Sequence, residues 1–225
     1  MMERGEMETG YLFTSKELAV LLASAGGSGI TGFSLQNIEM DRRQVLYQLH
    51  TLFRKGILLP KKVGGGLEIL PALRPAIYAC LQARCILYIE EQLSTTETPF
   101  SVCYPSEEGW SIMRPCDELP DGWLLQWSST SGMIELFRDN GLLPPNTEDL
   151  LHLEERFPLR VAQDPEEDMT PFSSLKWIKG KTREVISYAK IVRGALMDWV
   201  LTADGKQVYT EERLVNWIEH CVEVC

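Results

Sequence analysis

The sequence predicts a mixed helix-and-sheet protein of the α+β class, and three observations carry that expectation. The first third has apolar side chains at helical spacing and closes on a short two-stranded pattern. The remainder carries short runs rich in Val, Ile, Tyr and Trp between Pro- and Gly-containing turns. The charge also divides: residues 1–90 hold ten Lys/Arg against eight Asp/Glu, or +2, while the rest holds twelve against twenty-four, or −12, which together give the net −10. At 225 residues with 44% apolar and 24% charged side chains, the chain is long enough for a sizeable core and too ordinary in composition for a disordered or collagen-like protein. The organisation expected is an N-terminal helical domain over 1–92, including a connecting helix, and an acidic α+β domain over 93–225 built on an antiparallel sheet with packed helices.

Thr14 or Ser15 can cap a first helix through Ser24, with Leu18, Leu21, Leu22 and Ala25 at helical spacing and Gly26-Gly27 ending it. Phe33–Ile38 is expected to form a short second helix. Asp41 caps a third, running from Arg42 to about Lys55, whose apolar side is predicted to be Val45, Leu46, Leu49, Leu52 and Phe53. Gly56 closes it. Ile57–Pro60 and Leu67–Pro71 then read as strands of a hairpin with its tip at Lys61–Gly66, and Pro75–Gln92 reads as a further helix that joins the domains or pairs monomers. Between Asp41 and Lys62 stand six basic residues (Arg42, Arg43, Arg54, Lys55, Lys61, Lys62) against the single Asp41.

Three helices followed by a β-hairpin, with a basic third helix and a basic tip, resemble the winged helix-turn-helix superfamily over about residues 14–75. The stretch Val45-Leu-Tyr-Gln-Leu-His-Thr-Leu-Phe-Arg-Lys-Gly-Ile-Leu58 looks like that superfamily's recognition helix running into its wing. The resemblance implies a non-catalytic, DNA-binding transcription regulator. By position it implicates Arg42, Arg43, Gln44, Tyr47 and Gln48 in the major groove and Lys61 and Lys62 on backbone phosphates. The alternative it leaves open is protein–protein interaction, because many members of the superfamily bind proteins. The negative charge of the whole molecule favours that alternative.

In the acidic remainder, Ser94–Pro99 reads as a linker. Phe100–Tyr104, Trp110–Arg114 and Trp123–Ser128 read as an antiparallel meander, followed by a helix over Met133–Asp139 that ends at Asn140-Gly141. Asn146 or Thr147 caps another helix to about Arg156, and Asp164–Pro171 reads as a loop. Strands are expected around 184–193, 195–202 and 206–209 with a turn at Asp204-Gly205, then a helix capped by Thr210 that buries Leu214, Trp217, Ile218 and Cys221. Strands followed by a helix occur twice, the mark of a weak internal duplication. All six tryptophans lie in this part, and core packing explains them better than an aromatic cleft. Met197–Leu214 resembles the closing segment of the substrate-binding chaperones of type VII secretion, which gives the protein-binding alternative a second form.

No basic-then-apolar leader opens the chain and no apolar run of about 18 residues occurs, so a cytoplasmic protein without a membrane partner is expected. The six cysteines (Cys80, Cys85, Cys103, Cys116, Cys221, Cys225) are then expected as free thiols without bridges, and with three scattered histidines no metal site is expected. Gly27–Gly32 matches G-x-G-x-x-G but follows a helix instead of a strand, and no acidic residue stands about 20 positions on. Gly180-Lys181-Thr182 lacks the first glycine of a phosphate loop, which would fall at Leu175. The paired glutamates at 107–108, 154–155, 166–167 and 211–212 fall in turns and helix ends, where solvation and helix dipoles account for them. No catalytic residue and no cofactor is therefore assigned.

Overall fold

The structure, a computed structural model, describes residues 10–27, 30, 38–62, 64–91, 100–116, 118–119, 121–145, 170–180, 182–194 and 198–224. In chain order the elements are β1 (Tyr11–Thr14), α1 (Ser15–Ser24), α2 (Arg42–Arg54), β2 (Leu58–Pro60), β3 (Leu67–Ile69), a single 3₁₀ turn (Pro71–Leu73), α3 (Arg74–Gln82), β4 (Cys85–Glu91), β5 (Phe100–Ser106), β6 (Gly109–Cys116), β7 (Gly122–Ser128), α4 (Thr130–Asp139), β8 (Thr170–Lys179), β9 (Val185–Arg193), β10 (Asp198–Thr202), β11 (Gly205–Val208) and α5 (Glu211–Val224). Mixed helix and antiparallel sheet makes this an α+β fold. The chain falls into two compact units, Met1–Ala83 with Val102–Ser129, and Arg84–Ser101 with Thr130–Cys225.

In the first unit β1, β7, β6 and β5 lie in that order, every neighbouring pair antiparallel. The first helix starts and stops as the sequence predicts. Thr14 accepts from the Glu17 backbone N–H at 3.2 Å while the Glu17 carboxylate accepts from the Thr14 N–H at 2.9 Å, a reciprocal capping box. Ser15 anchors α1 to the sheet: its hydroxyl donates to the Asp121 carboxylate at 2.5 Å and accepts from the Trp123 indole at 2.9 Å. Asp121 stands at φ 58°, a left-handed conformation that this bond and the Ser15 N–H on the Asp121 carbonyl, at 3.0 Å, help to hold. Leu18, Leu21 and Leu22 are fully or almost fully buried in this core with Phe13, Ile77 and Leu125. The α3 thiol of Cys80 meets the Ser111 hydroxyl of β6 at 3.1 Å.

In the second unit β4, β8, β9, β10 and β11 run antiparallel in that order. Leu175 and Trp177 of β8 are wholly buried, as are Ala189 and Ile191 of β9, residues that share one face of the pleat. Met133, Ile134 and Phe137 of α4 and Leu214 and Ile218 of α5 are buried, and polar contacts add to this packing. The Ser173 hydroxyl donates to the Leu142 carbonyl at 2.6 Å, and the Cys221 thiol of α5 hydrogen-bonds Ser187. Arg138 of α4 forms an ion pair with Glu211 at the start of α5. Tyr209, buried beside that pair, has its phenol pushed up to about 12, chiefly by burial and against the pull of Arg138.

Several expectations are corrected. The helix expected over Pro75–Gln92 ends at Gln82, and its second half is strand β4. Cys85, Ile86, Leu87 and Ile89 are buried whichever way they point, so the run is continuously apolar and its period does not separate strand from helix. Strand β1 and the whole of β8 were not foreseen, and Thr170 and Pro171, expected in a loop, open β8. The expected second helix lies outside the described residues except for Ile38, which is irregular, and the linker at 94–99, the helix from 146 and most of the loop at 164–171 lie outside them too. Cys80, Cys103, Cys116 and Cys221 are free thiols, whereas Cys85 is disulfide-bonded, contrary to the expectation of no bridges. Cysteine spacing along the chain does not reveal which thiols meet in space.

Candidate recognition surface

The predicted site centres on α2, whose start is set by Asp41. The Asp41 carboxylate accepts from the Gln44 backbone N–H at 2.8 Å, and the Gln44 side-chain oxygen accepts from the Asp41 N–H at 3.0 Å. Gln44 thus spends its amide oxygen on the cap, the atom that adenine readout needs. The helix ends at Gly56, where φ is 71° and the Gly56 N–H reaches the Phe53 carbonyl. The chain then enters the β2–β3 hairpin. Gly64, Gly65 and Gly66 take positive φ at its tip, and the Lys61 N–H closes onto the Gly66 carbonyl at 3.0 Å.

Burial sorts α2 into two faces. Val45, Gln48 and Leu49 are half-buried and Leu52 is fully buried, an i, i+3, i+4, i+7 stripe turned to the core. Leu46 and Phe53, expected in that core, are instead 57% and 47% exposed, and Tyr47 is 67% exposed. At about 100° per residue, Leu46 and Phe53 lie roughly 80–100° round the helix from Val45, outside the reach of a single packing contact. The exposed arc therefore runs from Arg42 through Phe53, Leu46 and His50 to Arg43, Arg54 and Tyr47, with Leu46 and Phe53 on the shoulder beside the core stripe and Arg43 and Arg54 opposite it.

The structure brings Arg42, Arg43 and Tyr47 onto this outward face, puts Gln48 on the inward one, and sets Lys61 and Lys62 on the separate hairpin tip. Among the described residues Arg42, Arg43, Lys61 and Lys62 form no ion pair. Lys55 differs. Its ammonium lies 2.7 Å from the Glu17 carboxylate, whose side chain is only 3% exposed, so that basic group is consumed in fastening α2 to α1. Leu46 and Phe53 escaped sequence reasoning because they were counted as core. The signal that could have found them is the width of the apolar arc, too broad for one stripe.

The remaining chemistry is sparse. Burial pushes the Cys80 thiol up to about 12, partly offset by its bond to Ser111, and burial with the nearby Cys80 raises Cys103 as well, so both stay protonated and are poor nucleophiles. Among the described residues no three His, Cys, Asp or Glu side chains gather as a metal-holding group. No described helix is long and apolar enough to cross a membrane. No protein-family model matches the chain, and no curated protein sequence matches it either.

Proposed function

We propose that this chain is a non-catalytic recognition protein that binds a protein partner through the exposed face of α2, as an adaptor or secretion-type chaperone does. The observation that carries the reading is the joint exposure of Leu46, Tyr47 and Phe53 beside the unpaired Arg42, Arg43 and Arg54. Exposed apolar and aromatic side chains with arginine neighbours are the composition of protein–protein contact surfaces. The β10–β11 hairpin leading into α5, over the Met197–Leu214 stretch that resembles type VII secretion chaperones, supports the same reading. Replacing Tyr47 with a photoreactive phenylalanine in the full chain and irradiating living cells tests it. A protein adduct that disappears when Arg43 is changed to Glu supports the reading, and absence of any protein adduct sinks it.

A second reading, the DNA-binding regulator, draws on the outward Arg42 and Arg43 and the free Lys61 and Lys62. The order α1, α2 and the β2–β3 hairpin supports its winged-helix form. It expects the full chain to hold duplex DNA with a steep salt dependence that flattens when Arg42 and Arg43 become Ala. No retention at low salt removes it.

A further inference from the structure

We infer that the partner of α2 is an acidic amphipathic helix, an inference that rests on the protein-binding reading and names what that surface takes. Leu46 and Phe53 are seven residues apart, two turns or about 10.5 Å along the axis, with His50 between them. Such a ridge matches a second helix with apolar residues at i, i+3 or i+4, and i+7. An extended peptide is a poorer match, because the backbone of α2 is hydrogen-bonded within the helix and offers no strand edge. Phosphate is poorer still, since lying against Leu46 and Phe53 would strip water from its charge and give no hydrogen bond in return.

Charge fixes the sign. Residues 42–62 contain no acidic side chain, and Lys55 is already held by Glu17. Arg42, Arg43 and Arg54 therefore remain as cations at the two ends of the apolar ridge, which a helix with carboxylates outboard of its apolar stripe would meet.

The test uses the full chain and a fluorescent synthetic helix with Leu at i, i+3 or i+4, and i+7 and flanking Glu. Two controls accompany it: the same peptide with Lys for every Glu, and one of equal composition with the leucines scattered. Binding at least about tenfold tighter to the acidic amphipathic peptide than to either control is expected. A loss of similar size is expected in Leu46→Ala/Phe53→Ala, with a weaker salt dependence in Arg42→Gln/Arg43→Gln. Both variants alter exposed side chains, and unchanged thermal midpoints show that they fold. Equal binding of acidic and basic peptides, or no binding of the acidic one, overturns the inference. If the Tyr47 protein adduct nonetheless forms in cells, the protein-binding reading survives and only the partner class is wrong. A Tyr47 adduct destroyed by nuclease overturns both in favour of DNA.

Discussion

Helices α1 and α2 begin alike and end differently. Each opens on a reciprocal capping box, Thr14 with Glu17 and Asp41 with Gln44. Yet α1 buries seven of its ten residues and α2 one of its thirteen. The cap fixes where a helix starts, because it satisfies N–H groups that have no partner within the helix. It says nothing about how much of the helix is covered. An α2 that needed only a foothold on the core can leave most of its circumference for an outside contact, and the foothold consists of Leu52, the half-buried Val45, Gln48 and Leu49, and the Lys55–Glu17 pair.

The largest expected effect contrasts the two helices directly. Leu21→Ala in α1 leaves a cavity and should cost about 2–5 kcal/mol in chemical denaturation. Leu46→Ala in α2 removes an exposed side chain and should stay within about 0.5 kcal/mol. Equal losses would mean that the α2 ridge is covered. Breaking the link between the helices comes next. Lys55→Met removes the partner of a Glu17 carboxylate that is 3% exposed, and about 1–3 kcal/mol should be lost. A loss near zero would show the pair to be dispensable.

The last effect is read by pH and is absent near neutrality. The Cys80 thiol, on the buried side of the same unit, ionises near 9 when unfolded and near 12 when folded, so the fold favours its protonated form. That contribution is fully present below about 9 and is lost as pH rises toward 12, by about a tenfold drop in the folding constant per pH unit. Cys80→Ala should make the alkaline decline shallower, in denaturant titrations between pH 9 and 11. An unchanged slope would show that this thiol ionises alike in both states.

How much was legible follows from what each signal depends on. The caps at Thr14 or Ser15 and at Asp41, and the stops at Gly26-Gly27 and Gly56, are local devices, and they placed both ends of α1 and α2. The meander β5–β6–β7 and the Asp204-Gly205 hairpin were legible for the same reason: turn residues act on their own backbone. Strand β4 was misread because Cys85–Ile89 is buried on both faces, which erases the period. The candidate surface was half legible. Arg42, Arg43 and Tyr47 were picked out correctly as outward residues, while Leu46 and Phe53 were assigned inward because hydrophobicity was taken as proof of burial.

By itself, the sequence determined the fold class, the ends of α1 and α2, the hairpins and the concentration of positive charge between residues 42 and 62, since each depends on neighbours in the chain. Only the tertiary structure decided that Lys55 is spent on Glu17, that Gln44 is spent on its cap, that Cys85 is bridged, and that Leu46 and Phe53 face outward. Burial and pairing are set by which surfaces meet across long stretches of chain, and a residue's own chemistry does not specify that meeting.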